Sequence, residues 1–314
     1  MKKRVIVFGI GRVYQRQKEW INAEYHVVGL MDNYPDNCHE EMVRSVETTL
    51  GYFREGVDFD SIIITTKSYE EMYNQLLTLG IDRERIIIFS HDKERLKRHY
   101  LDYSFYGQHA DDLVLAAIFS MIGLDKPSYL DLGANHPFDI NNTVTLYENG
   151  CRGINVDANE GLIELFNKLR PEDINLNYGI AGQGGGVLPF YKFGEYSGLN
   201  TFSKDEAEKW GLPITEVVDI PVVSLDYIIE KYSNGVFPDF LDCDIEGMDF
   251  EVLESFDLLN NGPKVICVEV RREEIEMFDD MLHEKGYFRF CRLGENNIYV
   301  KNRYAEVLIH NVVD

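Results

Sequence analysis

The chain has 314 residues, of which 45% are hydrophobic and 27% charged, and a formal net charge of −23. That length allows two domains with cores of their own, and the composition is that of a globular protein. So strong an acidity argues against nucleic acid or an anionic membrane surface as a partner, because phosphate binding needs clustered Lys and Arg.

Five scattered cysteines, Cys38, Cys151, Cys243, Cys267 and Cys291, include no C-x-x-C pair. They read as core thiols in a reducing, cytoplasmic setting, with neither zinc nor a disulfide framework. The basic start, Met1 to Arg4, precedes an apolar run too short for a signal peptide; it breaks at Gly9 and Gly11 and reads as a first strand. No apolar stretch reaches membrane-spanning length.

Residues 4–9 predict a buried strand ending in Gly9-Ile10-Gly11, followed by a helix. A second strand over 25–30 ends at Met31-Asp32-Asn33. A third covers 61–65, a helix spans 69–79 before Gly80, and a fourth strand covers 85–89. Residues 1–95 thus read as a small Rossmann-like domain. Gly9 and Gly11 with Asp32 make a partial dinucleotide fingerprint, but Tyr14 stands where the third glycine belongs, so an NAD-dependent oxidoreductase is kept only as an alternative. The polar stretch that follows carries Lys93, Arg95, Lys97 and Arg98; a linker helix is expected over 96–110, its basic residues forming a solvated face.

The second domain, 111–314, opens with an amphipathic helix whose Leu113, Leu115, Ala116, Ile118 and Phe119 face inward. Residues 128–160 read as strand, loop, helix, strand. Tyr129, Leu130 and Leu132 run up to a Gly133-Ala134-Asn135 turn, a helix starts at Asn141 or Asn142, Gly150 closes it, and a new strand begins at Gly153. This is a right-handed βαβ unit, and ligands of such sheets sit beyond the carboxyl ends of the strands. Asp131 and Asp157, 26 residues apart, stand at those ends. An acid in the second position can accept hydrogen bonds from both ribose hydroxyls, and a glycine at the first turn lets a nucleoside approach the backbone. The alternative is that each acid merely caps a helix.

A helix over 161–169 is stopped by Pro171, and strands follow at 174–178 and 187–193. The loop 194–203 offers Tyr196, Ser197 and Asn200 to a polar ligand. Residues 222–225 lead into a helix over 226–231. The strand 240–244 closes on Asp242, Asp244, Glu246 and Asp249, with 242 and 244 on one face. A buried strand over 264–270, a helix over 273–284 and an antiparallel hairpin around Gly294-Glu295-Asn296 complete the chain.

The run Asp131-Leu-Gly-Ala-Asn135, Asn142-Thr143, Tyr147, Gly150, Arg152-Gly-Ile-Asn155 and Asp157-Ala-Asn159 resembles the FkbM-type methyltransferases. Asp112 before it, and Arg170-Pro171, Asn200-Thr201-Phe-Ser203 and Asp244-Ile-Glu246-Gly247-Met-Asp249 after it, extend the resemblance over residues 105–300. It implies an α/β architecture of two Rossmann-like domains, the second a class I methyltransferase doubly wound sheet ending in an antiparallel hairpin. One departure is that Asn135-His136-Pro137 follow the first glycine, where the common loop has further glycines; proline forces a different backbone path.

The resemblance further implies S-adenosylmethionine as cofactor. Asp157 would hold the ribose, with Asp131, Gly133 and Asn135 along the methionine end and Asn159 near the adenosine. Asp244 or Glu246 would orient or deprotonate an acceptor hydroxyl, and His136 is a further candidate base. Asp242 beside them invites a divalent cation, but paired acids also serve as caps, and no metal is assigned. The small first domain is similar to those attached to sugar-modifying enzymes of surface-glycan pathways. The implied reaction is therefore O-methylation of a hydroxyl on a sugar, nucleotide-sugar or glycan, in a polysaccharide or natural-product pathway. A catalytically silent nucleotide-sugar-binding module is the other alternative.

Overall fold

The computed structural model describes residues 2–38, 40, 42–54, 59–66, 69–91, 97–100, 103–194, 197–209 and 211–308; Lys93, Arg95 and Tyr196 lie outside them. The chain divides into two compact units, Met1–Lys97 and Arg98–Asp314.

The first unit comprises β1 (Arg4–Phe8), α1 (Arg12–Glu24), β2 (His26–Met31), β3 (Val43–Arg44), α2 (Val46–Arg54), β4 (Ser61–Ile64), α3 (Tyr69–Thr78) and β5 (Ile86–Ile88). Its sheet is parallel throughout, in the order β3-β2-β1-β4-β5. The central strands β1 and β4 are covered on both faces, which is why they read as unbroken apolar runs. Helix α2 is invisible to propensity, since Thr48, Thr49 and Gly51 are poor helix formers; it forms because Val46 and Leu50, one turn apart, both enter the core.

The second unit runs β6 (Arg98–Tyr100), β7 (Tyr103–Phe105), α4 (Asp111–Met121), β8 (Tyr129–Leu132), α5 (Val144–Glu148), β9 (Gly153–Asp157), α6 (Glu160–Leu169) and β10 (Ile174–Asn177). It continues through β11 (Gly179–Ile180), β12 (Val187–Lys192), α7 (Lys204–Lys209), β13 (Glu216–Val223), α8 (Leu225–Tyr232) and β14 (Phe240–Cys243). It ends with α9 (Asp249–Ser255), β15 (Val265–Glu269), α10 (Ile275–Glu284), β16 (Tyr287–Leu293) and β17 (Asn296–Lys301). Seven strands form the main sheet in the order β10-β9-β8-β14-β15-β17-β16, parallel up to β15 and antiparallel through β17 and β16. This is the doubly wound sheet with a terminal hairpin that the sequence implied. Its switch point lies between β8 and β14, whose outgoing connections leave to opposite sides, so a crevice opens beyond their carboxyl ends.

One expectation fails. In place of a linker helix, Arg98–Tyr100 and Tyr103–Phe105 form an antiparallel pair, with Tyr100 opposite Tyr103 and Arg98 opposite Phe105. Aromatic residues suit a pleated strand better than a helix, and they outweigh the scattered charges. The structure also adds a small sheet, β11-β13-β12, inserted between β10 and β14. Leu130, Leu132, Ile154, Val156, Leu241 and Val268 fill one layer of the main core; Tyr129, Phe240 and Val265, with Leu115 and Ile118 from α4, fill the other. Each fully buried aliphatic side chain contributes on the order of 1.5–3 kcal/mol.

Candidate functional site

The crevice beyond β8, β9 and β14 is a cavity whose wall includes Gly133, Asn135, Asp157, Asn159, Asp244 and Glu246. Gly133 is fixed by a close approach. Its φ is +75°, and a Cβ there would lie 1.7 Å from the carbonyl oxygen of Asp244, so only glycine lets the end of β8 meet the end of β14. Asn135 also has a positive φ, +51°, a conformation that asparagine tolerates best among non-glycine residues.

Asp157 ends β9 with its carboxylate held by two backbone donors, Asn135 N–H at 2.9 Å and Asn159 N–H at 2.7 Å. Each oxygen has a further lone pair and the residue lines the cavity, so the group has capacity to accept from two vicinal hydroxyls. Burial pushes its pKa up to about 6, although both backbone bonds oppose the shift. Asn159 caps α6, its Oδ1 accepting from Gly161 N–H at 3.2 Å. The Oδ1 of Asn135 is buried without a hydrogen-bond partner in a wall of the same cavity. A buried amide oxygen left so is costly, and a ligand donor would satisfy it. Together with the two free acceptor sites of Asp157, it fits the polar end of a nucleoside-bearing cofactor.

Two predicted residues are elsewhere. Asp131 does not line the cavity: its Oδ2 accepts from Thr143 Oγ1 at 3.0 Å and Asn141 Nδ2 at 3.2 Å, bracing the turn from behind. Burial lifts its pKa to about 6 against the opposing pull of Arg170. His136 is only 1% exposed, and its Nδ1 accepts from the backbone N–H groups of Phe138 (3.1 Å) and Asp139 (3.0 Å). That ring nitrogen shapes the loop around Pro137, and His136 is not among the residues lining the cavity.

Behind the turn lies a polar row that the sequence hides. Asn175, Asn155, Asp131, Asp242 and Cys267 are register partners across five adjacent parallel strands, all on one face. Arg170, fully buried, ties this row to the loop. Its guanidinium pairs with Asp173 (2.8 Å) and donates to Tyr129 Oη (2.8 Å), Thr143 Oγ1 (3.0 Å) and Asn141 Oδ1 (3.3 Å). Asp242 receives Asn142 Nδ2 at 3.3 Å; burial, with Asp131 beside it, raises its pKa well above the usual range.

At the opposite lip, Asp244 and Glu246 are joined by Glu269 from the end of β15, and one carboxylate oxygen from each lies within 4.8 Å of the others. That oxygen spacing would suit a divalent cation. The side chain of Asp244 reaches solvent, but protein crowds its carboxyl and Glu269, Glu246 and Asp249 add their charges, so its pKa stands well above the usual range. Burial, followed by Asp249 and Glu295, raises Glu269 too. Glu246 has a positive φ of +54°, and its carbonyl accepts from Thr201 Oγ1 at 2.9 Å, which joins the loop after β12 to the end of β14. Glu269 was legible in principle, since it ends a buried parallel strand as Asp131 and Asp157 do. Phe190 and Phe202, packed 4.7 Å apart in the cavity wall, were not, because they arrive from the inserted sheet and its loop.

In the first unit, both oxygens of Asp32 accept backbone N–H groups, Ile10 at 2.8 Å and Tyr34 at 2.9 Å, and Tyr14 is buried. The acid of the partial fingerprint thus braces its turn as Asp157 does. Among the described residues, no helix is long and apolar enough to cross a membrane.

Two families match the chain: the C2185-like, N-terminal family over residues 1–87, and the methyltransferase FkbM domain over residues 131–289. No protein of curated function matches it. Among solved structures, a proposed RNA methyltransferase of Pyrococcus horikoshii overlays with a TM-score of 0.35 at 9% identity, covering 68% of this chain and 94% of the other, too loosely to bear on the argument. The FkbM match spans just over half of the chain and includes every residue lining the cavity, from Gly133 to Glu246; the chain belongs to the FkbM methyltransferase family and is a methyltransferase.

Proposed function

We propose that the protein is an S-adenosylmethionine-dependent O-methyltransferase acting on a hydroxyl of a sugar or glycan. The observation that carries this reading is that one cavity joins a nucleoside-type carboxylate, Asp157, to a carboxyl of raised pKa, Asp244, beside which Glu269 stands from the end of β15. S-adenosylmethionine, when bound, supplies an electrophilic methyl group on a positively charged sulfur.

The chain's residues have two tasks. Asp157, Asn135 and Asn159 hold the cofactor's polar end, which fixes alignment. Asp244, with Glu269 beside it, would accept the one proton that an acceptor hydroxyl loses on methylation. Like charges this close titrate as a unit, so the pair takes up a proton nearer neutral pH than a lone carboxyl, where a general base works best.

Calorimetric titration with S-adenosylhomocysteine, with NAD in parallel, tests the reading. Binding of the first alone is expected. Asp157→Ala should weaken it about 10- to 100-fold, the worth of charge-assisted hydrogen bonds. Heat with NAD and none with S-adenosylhomocysteine would overturn it.

A further inference from the structure

A second cavity adjoins the first at Glu246, which lines both. Its walls combine two kinds of surface. Phe250 and Phe278 form an edge-to-face pair, centroids 5.2 Å apart, and around them stand Glu246, Glu269, Arg271 and Glu274. Asp249 also borders it, but its carboxylate is turned onto the backbone N–H groups of Ile245 (3.1 Å) and Gly247 (3.2 Å).

Aromatic faces beside carboxylates and a guanidinium match a ring that has one C–H face and a rim of hydroxyls. Phe250, half-buried and backed by the buried Phe278, takes the apolar face, carboxylates accept from hydroxyl pairs, and Arg271 can donate to ring or hydroxyl oxygens. The charge balance adds a restriction, because the carboxylates outnumber the single guanidinium. An anionic ligand would meet like charge on most sides, and like-charge juxtaposition is how sites exclude wrong partners.

From these walls we infer that the second cavity is the acceptor site and takes a neutral or amino sugar, excluding uronic acids and sugars carrying phosphate near the accepting hydroxyl. The inference rests on the methyltransferase reading above and narrows its substrate class, since nucleotide-sugars with the diphosphate next to the reacting ring are ruled out. Glu269 lines this cavity and lies within reach of Asp244 in the other, so a hydroxyl entering here arrives at the paired carboxyls.

The test is saturation-transfer NMR on the full-length protein saturated with S-adenosylhomocysteine. The probes are matched sets of neutral sugar, amino sugar and uronic acid in the gluco, galacto and manno series. The neutral or amino member of at least one series should receive about tenfold more saturation than its uronic acid, the order expected from two or more opposing carboxylates. Phe278→Ala should abolish that signal while S-adenosylhomocysteine still binds. Because Phe278 is also a core residue, Glu274→Lys provides a second arm and should raise the uronic acid signal relative to the neutral one.

Silence in every series, uronic acids binding as well as neutral sugars, or signals unchanged in both variants would overturn the inference. Loss of S-adenosylhomocysteine binding in the unaltered protein would instead sink the cofactor reading, so the two failures are separable.

Discussion

Asp157 titrates close to physiological conditions. Its carboxyl is raised to about 6 chiefly by burial, so it is charged at neutral pH and gains a proton as the pH falls through that value. A protonated Asp157 offers fewer acceptor sites to hydroxyl donors. Affinity for S-adenosylhomocysteine should therefore be level above about pH 7 and fall about tenfold per unit below about 6, the behaviour of a single required deprotonation. Asp157 and Asp131 are both raised above their unfolded values, so in that window they bind protons on folding and add stability as the pH drops. Weakened binding with an undiminished thermal midpoint is the expected pattern; affinity flat down to pH 5 would remove Asp157 from the site. A second residue-scale expectation concerns Glu269. After burial itself, its charge is the largest influence raising Asp244, so Glu269→Gln should lower the Asp244 pKa. A carbon-detected carboxyl titration reads that shift without any acceptor. Once an acceptor is known, the same variant should lose about 10²- to 10⁴-fold in kcat, the range for a general base.

Among the elements, the loop between β8 and α5 depends on Arg170, which lies at the C-terminal end of α6. The guanidinium holds Thr143 and Asn141, which in turn hold Asp131, so the β8 turn is anchored through α6. Arg170→Ala would leave Asp173 a buried, uncompensated charge, and denaturant unfolding should show a loss of about 3–5 kcal/mol. A loss below about 1 kcal/mol would mean that the network contributes little net stability. The network itself was not visible in sequence, where Pro171 reads as a helix stop and Arg170-Pro171 only as one motif of the resemblance. Strands that bury both faces are legible because they are continuous apolar runs, and their terminal acids are legible because the chain order puts them at a crevice. The polar row from Asn175 to Cys267 is not legible, since it exists only across strands and needs the register to appear. The antiparallel pair β6 and β7 and helix α2 were obscured for the opposite reason, a local composition pointing away from the fold that tertiary contacts select.

For the whole molecule, the division of labour between the two units is testable. Ile6, Phe8, Ile62 and Ile64 anchor a core in the first, while the layers on either side of the seven-stranded sheet build that of the second. Every residue lining the cofactor cavity, and every one lining the proposed acceptor cavity, falls between Gly133 and Phe278. In the first unit the nucleotide-like turn at Gly9, whose Asp32 accepts from its own backbone, lines neither cavity. A fragment of residues 98–314 should therefore fold and bind S-adenosylhomocysteine within about threefold of the full chain, a difference under ~0.7 kcal/mol. Circular dichroism and calorimetry on the two proteins would check this side by side. If the fragment folds but binds more than about tenfold more weakly, the first unit stabilises the cofactor-competent state by at least ~1.4 kcal/mol.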